Sequence, residues 1–154
     1  METIADFEDL LALLEEFGVH YLIVGGLAFV YHARPRFTKD MDLWVDPDSE
    51  NIVRANNALD VFPSPQGLVA GAHEEILQLG VAPNRIDFLQ KLGDARFEDA
   101  WPLRVRDRYG DVECNWLDIQ TLLVVKSASN HPRHQEDARV LREVLNLRRT
   151  PESH

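Results

Sequence analysis

The stretch from residue 21 to residue 46 decides the fold, and it reads Tyr21-Leu-Ile-Val-Gly25-Gly26-Leu-Ala-Phe-Val-Tyr-His-Ala-Arg-Pro-Arg36-Phe-Thr38-Lys-Asp40-Met-Asp42-Leu-Trp-Val-Asp46. The apolar run over 19–24 is typical of a strand that is covered on both faces. Residues 27–32 have a helical pattern, which Pro35 ends. Over 41–46, Met, Leu and Val alternate with Asp, Trp and Asp, which predicts a second strand. The sequence therefore predicts a strand, a glycine turn, a short helix and another strand in close succession.

The rest of the chain predicts a mixed α/β (α+β) fold with both parallel and antiparallel strand pairs. Helices are expected over 5–17, ended by Gly18, over about 50–59, over 119–128 with Asp118 as N-cap, and over about 135–147. Two hairpins are expected, one joining 75–80 to 85–90 and the other joining 103–107 to 111–116. A loop is expected over 61–73. We predict a single domain over 1–147 and a polar tail over 148–154.

Composition and charge restrict the classes of function. The chain has 154 residues, 45% of them hydrophobic, and a formal net charge of −10. Such acidity argues against a protein that coats nucleic acid, because that binding requires an excess of positive charge. Cys114 is the only cysteine, which excludes an intrachain disulfide and a cysteine-rich zinc module. With no apolar run of about 20 residues, we expect a cytoplasmic protein that does not enter a membrane.

Two aspartates and two glycines suggest chemistry on phosphate. Asp40 and Asp42 lie two apart on a predicted strand, so both carboxylates project from the same face. Two such carboxylates repel each other unless a cation lies between them, and Mg²⁺ prefers these hard oxygen ligands. Gly25 and Gly26 precede a helix, where backbone N–H groups can approach a phosphate closely. Together these features predict a site for phosphoryl or nucleotidyl transfer.

The order of these features resembles the nucleotidyltransferase superfamily related to DNA polymerase beta. Within it, the pattern is similar to the small prokaryotic group that includes the AbiEii-type toxins, through the segments Val24-Gly25-Gly26-Leu27-Ala28 and Arg36-Phe-Thr38-Lys-Asp40-Met-Asp42. The resemblance implies a mixed sheet with flanking helices, completed by a C-terminal helical pair. It also implies transfer of a nucleotide from a nucleoside triphosphate, with release of pyrophosphate and two Mg²⁺ or Mn²⁺ ions. One departure is Gly26, since the broader superfamily often has serine there.

The resemblance also implies roles for residues outside the central stretch. A third carboxylate is expected on a later strand, and the best candidate is Asp87, between Ile86 and Phe88; its alternative is a pair with Arg85 at an exposed edge. Lys126 is expected to reach the triphosphate or neutralise the carboxylates, or else to be a solvated lysine at a helix end. Asp137 is expected to pair with Lys126 or to cap the last helix. The predicted catalytic and metal-binding residues are Asp40, Asp42 and Asp87; the predicted nucleotide-binding residues are Gly25, Gly26, Arg36, Thr38 and Lys126.

The acceptor stays open among a tRNA, a protein and a small molecule. A toxin that is held inactive by an antitoxin protein fits the resemblance, as does a non-catalytic or partner-inhibited regulatory relative. A glycosyltransferase that uses Asp-x-Asp with a nucleotide sugar is a third alternative. Three arginines that alternate over 104–108 share one face, where they either contact RNA phosphates or pair across the hairpin with Asp111 and Glu113. His131 and His134 are expected at a helix start rather than in a metal site.

Overall fold

Among the residues that the structure describes, a six-stranded mixed sheet organises the fold. The computed structural model describes residues 1, 3–62, 67–71, 76–79 and 84–149. The elements follow in the order α1 (Ala5–Glu16), β1 (Tyr21–Val24), α2 (Gly25–His32), β2 (Asp40–Val45), α3 (Ser49–Val61), β3 (Leu77–Leu79), β4 (Arg85–Leu89), α4 (Phe97–Ala100), a 3-10 turn (Trp101–Leu103), β5 (Val105–Tyr109), β6 (Val112–Trp116), α5 (Ile119–Ala128) and α6 (Pro132–Arg149). The predicted mixed α/β fold with a C-terminal helical pair is confirmed.

The strand order is β3-β4-β2-β1-β6-β5, so the two strands of the central stretch lie in the middle of the sheet. β1 pairs with β2 antiparallel and with β6 parallel. β4 pairs with β2 parallel and with β3 antiparallel. Both hairpins predicted from the sequence, β3–β4 and β5–β6, are present as antiparallel pairs. All four residues of β1 are buried, as its near-continuous apolar pattern predicts for a strand covered on both faces. In β2, which alternates, Asp40 and Asp42 are only partly buried.

Each face of the sheet has its own core. On one face, α1 and α3 pack through residues such as Leu10, Leu14 and Ala55. On the other face, α5 and α6 pack on the sheet through residues such as Leu122 and Leu141. Val24 and Trp44 point to this second face, and the side chains of Asp40 and Asp42 share it because residues two apart on a strand point the same way. The candidate site therefore lies on the face that the C-terminal helices cover.

Several element boundaries differ from the sequence predictions. α2 begins at Gly25 rather than Leu27, because Val24 already has the extended conformation of an N-cap. β5 continues through Arg108 and Tyr109, and the turn is made by Gly110 and Asp111. Tyr109 stays in the strand because its ring is buried and its hydroxyl accepts a hydrogen bond from the Ile4 backbone N–H.

The chain ends differ as well. α6 begins at Pro132, a residue favoured in the first helical turn, and continues to Arg149. Two residues of the predicted polar tail are therefore helical, while 150–154 lie outside the described residues. The predicted loop over 61–73 starts later, because Val61 ends α3; parts of it, and part of the first hairpin's connection, also lie outside them. Over the described part of the chain, none of the helices combines the length and apolar character needed to cross a bilayer.

Candidate functional site

The pairing of β2 with β4 brings the three predicted carboxylates together. Asp42 lies directly opposite Asp87 in the parallel register, and Asp40 lies opposite Arg85. Neighbouring strands are about 4.8 Å apart, and paired residues project from the same face. Asp87 is therefore an immediate neighbour of Asp42, although the two are far apart in the sequence. We call Asp40, Asp42, Asp87 and Arg85 the acidic cluster.

Arg85 bridges two carboxylates of the acidic cluster. Its Nε lies 3.1 Å from Oδ1 of Asp87 and its Nη2 lies 3.3 Å from Oδ2. The same Nη2 lies 3.4 Å from Oδ2 of Asp40. The alternative prediction, a pair between Asp87 and Arg85 at an exposed edge, is thus half right. The pair exists, but β4 lies between two strands and Asp87 is only 7% exposed.

The surroundings of Asp42 perturb its acidity. Burial, and then repulsion from Asp87 and Asp40, raises the pKa of Asp42 to about 6, against the opposing influence of Arg85 and Lys126. A carboxylate in such surroundings gains much from a nearby cation, because the cation removes the repulsion that burial intensifies. The electrostatic environment of the Asp42 carboxylate therefore favours binding of a cation beside it.

The glycine pair forms one wall of this cluster. Gly25 has a φ of +66°, and a Cβ at this position would overlap the carboxylate of Asp42. A Cβ on Gly26 would lie 2.9 Å from the hydroxyl oxygen of Thr38. A serine at position 26 would meet the same obstacle, which gives a physical reason for the departure from Gly-Ser. Thr38 is held in turn by a hydrogen bond from its hydroxyl to the backbone oxygen of Asp40, 3.4 Å away.

A second group of charges lies on α5, α6 and the loop before β2. Arg36 donates to both carboxylate oxygens of Asp137, at 2.7 and 3.2 Å, and its guanidinium lies 4.3 Å from the ring centroid of Phe29. Lys126 Nζ lies 3.0 Å from Oδ2 of Asp137. We call Arg36, Lys126 and Asp137 the basic cluster. Lys126 is only 7% exposed, so the prediction of a solvated lysine at a helix end is wrong.

The basic cluster perturbs its carboxylate in the opposite direction. Burial by itself raises the pKa of Asp137, but hydrogen bonds and charge from Arg36 and Lys126 outweigh it and lower the pKa below its usual value. Of the two predicted roles for Asp137, the salt bridge with Lys126 is observed. Arg36 ties the loop that leads into β2 to α6 through Asp137 and to α2 through the ring of Phe29.

A cavity of about 430 Å³ opens between the two clusters. Asp42, Gly25 and Lys126 contribute to its wall, and its remaining lining is largely apolar, with Asp94, Ser129 and His134 as further polar groups. A larger groove of about 680 Å³ lies beyond Arg36 and Thr38, beside the exposed ring of Phe37. That groove touches none of the three carboxylates. Of these two, the smaller cavity is therefore the one that contacts candidate site residues of both the acidic and the basic cluster.

The carboxylate oxygens of Asp40, Asp42 and Asp87 are chemically suitable ligands for a divalent cation. Within the described residues, no three His, Cys, Asp or Glu side chains are grouped closely enough to hold one ion among themselves. Mg²⁺, however, takes one or two carboxylates and completes its shell with water and substrate phosphates. Asp42 opposite Asp87, and Asp40 two residues before Asp42, can supply ligands of that kind.

Other residues predicted from the sequence lie away from the cavity or have local partners. Arg106 donates to Glu15 and to Asn115, each at 2.8 Å, and lies 3.9 Å from Glu113. The guanidinium of Arg104 lies 3.9 Å from the ring centroid of Trp101. Two of the three arginines of the stripe are thus engaged within the molecule. His134 lies in the first turn of α6, as the helix-start prediction requires.

Several residues of the site are defined by tertiary contacts that no local pattern indicates. Phe29 belongs to an apolar helical pattern, and nothing in that pattern signals that its ring stacks on Arg36. Asp94 and Ser129 lie in loops and line the cavity. The sequence predicts Arg85 only as a competing partner of Asp87, and its contact with Asp40 follows from strand register alone.

Solved structures of nucleotidyltransferases share this architecture. The lincosamide antibiotic adenylyltransferase LnuA, bound to lincomycin, has a TM-score of 0.60 and 15% identity, over 93% of this chain and 99% of that one. A putative nucleotidyltransferase from Thermotoga maritima has a TM-score of 0.59 and 14% identity, over 92% and 91% of the two chains. ANT(2″)-Ia, in complex with adenylyl-2″-tobramycin, has a TM-score of 0.55 and 14% identity, over 92% of both.

Sequence comparison adds nothing to these structural matches, since no family model matches the chain and no curated protein matches it significantly. At 14–15% identity the matches establish architecture and leave substrate open. They nevertheless extend along nearly the whole length of each partner. The chain therefore has the nucleotidyltransferase fold.

Proposed function

We propose that this protein transfers a nucleotide from a nucleoside triphosphate to a hydroxyl group of an acceptor. The observation that carries the proposal is the register of β2 and β4, in which Asp42 faces Asp87 beside the left-handed corner at Gly25. In a nucleotidyltransferase fold this arrangement combines cation ligands with a close backbone approach to phosphate.

The acidic cluster is proposed to hold the metal. Asp40, Asp42 and Asp87 would hold two Mg²⁺ or Mn²⁺ ions, which would supply the positive charge that the triphosphate and the attacking oxygen need during transfer. Support comes from the raised pKa of Asp42, which reflects burial beside two other carboxylates. Metal dependence is accordingly part of the proposal.

The basic cluster and the glycine corner are proposed to hold the phosphates. Gly25 and Gly26 begin α2, where backbone N–H groups lack partners within the helix. Lys126 lines the cavity that contains Asp42, and Thr38 packs against Gly26. Arg36 is proposed to act as a positioning residue, because its bidentate pair with Asp137 holds the loop before β2 and, through Asp137, Lys126.

The proposed reaction is a substitution at the α-phosphorus. The acceptor hydroxyl oxygen forms a bond to that phosphorus, and the bond to the bridging oxygen of the β-phosphate breaks, so that pyrophosphate leaves with the electron pair. The hydroxyl proton goes to Asp87, whose carboxylate lies next to Asp42 on the sheet. The product is a nucleotide joined to the acceptor by a phosphodiester bond.

The structural comparisons favour a small acceptor. Two of the neighbours are an adenylyltransferase of lincosamide antibiotics and a complex with adenylylated tobramycin. The cavity of about 430 Å³ is in the range of sites for small molecules, and its wall at Gly25 and Lys126 is assigned to the phosphates of the triphosphate. A tRNA or protein acceptor, and the AbiEii-type toxin role with an antitoxin partner, have no comparable support from these neighbours.

The test is transfer of label from α-labelled triphosphates. The purified protein is incubated with Mg²⁺ or Mn²⁺ and each triphosphate in turn, together with a tRNA pool, a protein lysate or a library of hydroxylated small molecules. We expect label in the small-molecule fraction. Label in tRNA or protein would reassign the acceptor, and absence of label in all fractions would favour a non-catalytic regulatory relative.

The variant Asp42→Asn separates this site from contaminating activity. Transfer is expected to fall by about a thousandfold or more, because a cation ligand is lost. The matched control is Asp60→Asn, an exposed aspartate of α3 that lies outside both clusters. Near wild-type transfer by Asp42→Asn would contradict the assignment of the site.

A further inference from the structure

Arg85 occupies the position in the acidic cluster where a cation is needed. It engages both oxygens of Asp87 and one oxygen of Asp40 through two of its nitrogens. These are oxygen atoms that the proposed metal ions require. A guanidinium keeps its positive charge at all ordinary pH values, so it competes for these oxygens without needing a proton.

We propose that Arg85 is a built-in counter-ion that must leave Asp40 and Asp87 before divalent cations bind, and that it thereby sets the metal concentration at which the site fills. The inference rests on the proposed use of these carboxylates as metal ligands. It adds that the chain carries its own competitor for that position, placed by the register of Arg85 against Asp40.

The environment of Arg85 allows such an exchange. Its side chain is 40% exposed, whereas that of Asp87 is 10% exposed, so the guanidinium can rotate outward while the carboxylates stay in the sheet. Ion pairs with this much solvent contact contribute little stability, which makes their replacement by a metal ion favourable. After release the guanidinium remains nearby and its charge continues to oppose cation binding.

The experiment measures Mn²⁺ binding by isothermal titration calorimetry on the full chain, without nucleotide and independent of turnover. Arg85→Gln removes the charge and keeps a polar side chain, and it is expected to lower the Mn²⁺ dissociation constant by about tenfold, as expected for loss of one adjacent positive charge. Arg85→Lys keeps the charge but cannot bridge two carboxylates in the same way, so an intermediate dissociation constant is expected. Arg96→Gln, an exposed arginine paired with Glu98, is the matched control and should bind as wild type.

A thermal measurement gives a second readout. In EDTA, Arg85→Gln should melt at a slightly lower temperature than wild type, because Asp40 and Asp87 are left without the arginine that pairs with them. Addition of Mn²⁺ should then raise its melting temperature more than that of wild type. If Arg85→Gln does not fold, the Mn²⁺ affinity of Arg85→Lys tests the proposal by itself. An affinity equal to or weaker than that of wild type contradicts competition between Arg85 and the metal ion.

The possible failures are distinguishable. Unchanged or weaker Mn²⁺ binding by Arg85→Gln, together with label transfer by the wild type, overturns this inference and leaves the proposed function standing. Absence of Mn²⁺ binding in wild type and both Arg85 variants contradicts the inference and the proposed metal site together.

Discussion

The acidic cluster and the basic cluster contain the same kinds of groups in opposite proportions. The acidic cluster has three carboxylates and one guanidinium, a formal charge of −2, whereas the basic cluster has two cations and one carboxylate, a formal charge of +1. The pKa of Asp42 is raised in the first and the pKa of Asp137 is lowered in the second. Each cluster therefore has an excess charge. In a complex with a metal-bound triphosphate, the metal ions would neutralise the negative excess and the phosphates would neutralise the positive excess.

The clusters also differ in their access to solvent. The side chains of Lys126 and Asp137 are 9% and 4% exposed, while those of Arg85 and Asp40 are 40% and 30% exposed. The basic cluster is therefore a closed structural unit that ties α5 and α6 to the loop before β2. The acidic cluster is open, and its arginine can be exchanged. Within the proposed function, this contrast assigns Arg36 and Asp137 to stability and orientation, and it assigns Lys126 and the acidic cluster to binding.

The largest expected effect on stability is at Asp137. Asp137→Asn leaves two cations without their carboxylate in a buried setting, and we expect the free energy of unfolding to fall by about 3 kcal/mol. Urea denaturation monitored by tryptophan fluorescence measures this change. The control is Glu136→Gln on the same helix, which removes an exposed pair with Arg139 and should leave stability unchanged. Equal effects of the two variants would remove the distinction between a closed and an open cluster.

The glycine corner provides the second test, because it touches the acidic cluster alone. Gly25 and Gly18 have nearly the same φ, +66° and +67°, but a Cβ overlaps Asp42 only at position 25 and meets nothing within 4 Å at position 18. Both alanine variants carry backbone strain. Gly25→Ala should cost about 2 kcal/mol more than Gly18→Ala through overpacking, and it should also reduce label transfer.

Urea denaturation of both glycine variants, beside the transfer assay, measures these effects. Equal losses of stability in the two would show that the contact with Asp42 has no energetic consequence. Full activity in Gly25→Ala would contradict the close approach proposed at the corner.

The smallest effect concerns the acidity of Asp42. Its folded pKa of about 6 lies above the ordinary value of 3.8. The folded protein therefore binds more protons than the unfolded chain between these values, and the stability due to this group falls as pH rises through that window. Above about pH 6, the folded protein bears the full free-energy cost of the ionised Asp42 carboxylate. In EDTA, Asp42→Asn should be more stable than wild type by about 1–2 kcal/mol at pH 7.5, allowing for solvent screening.

That advantage should shrink toward zero as the pH falls to 4, and unfolding curves at half-unit pH intervals would trace it. A difference that stays constant with pH would mean that Asp42 does not titrate in this range. The basic cluster gives the opposite expectation, since the stability from Asp137, whose pKa is lowered, persists to pH values below 3.8.

Much of this site was predictable because the relevant patterns are local. The Gly-Gly pair before a helix and the Asp-x-Asp on a strand each depend on a few neighbouring residues, whereas the expectation of a third carboxylate at Asp87 came from the family resemblance. The N-cap at Asp118 is equally local, and its carboxylate accepts from the Thr121 N–H at 3.0 Å as expected. Boundaries were less accurate where a distant contact decided them, as at Tyr109, whose hydroxyl binds the backbone of Ile4.

The sequence alone determined that Asp40 and Asp42 share one face of a strand and that Gly25 and Gly26 precede a helix, because both follow from backbone geometry over short distances. Only the tertiary structure decided how those residues are shared between an acidic and a basic cluster. Arg36 and Asp137 are 101 positions apart, and Arg85 meets Asp40 only through the register of two parallel strands. Strand register and helix packing depend on the total apolar surface that the whole core buries. A short sequence pattern does not specify that total.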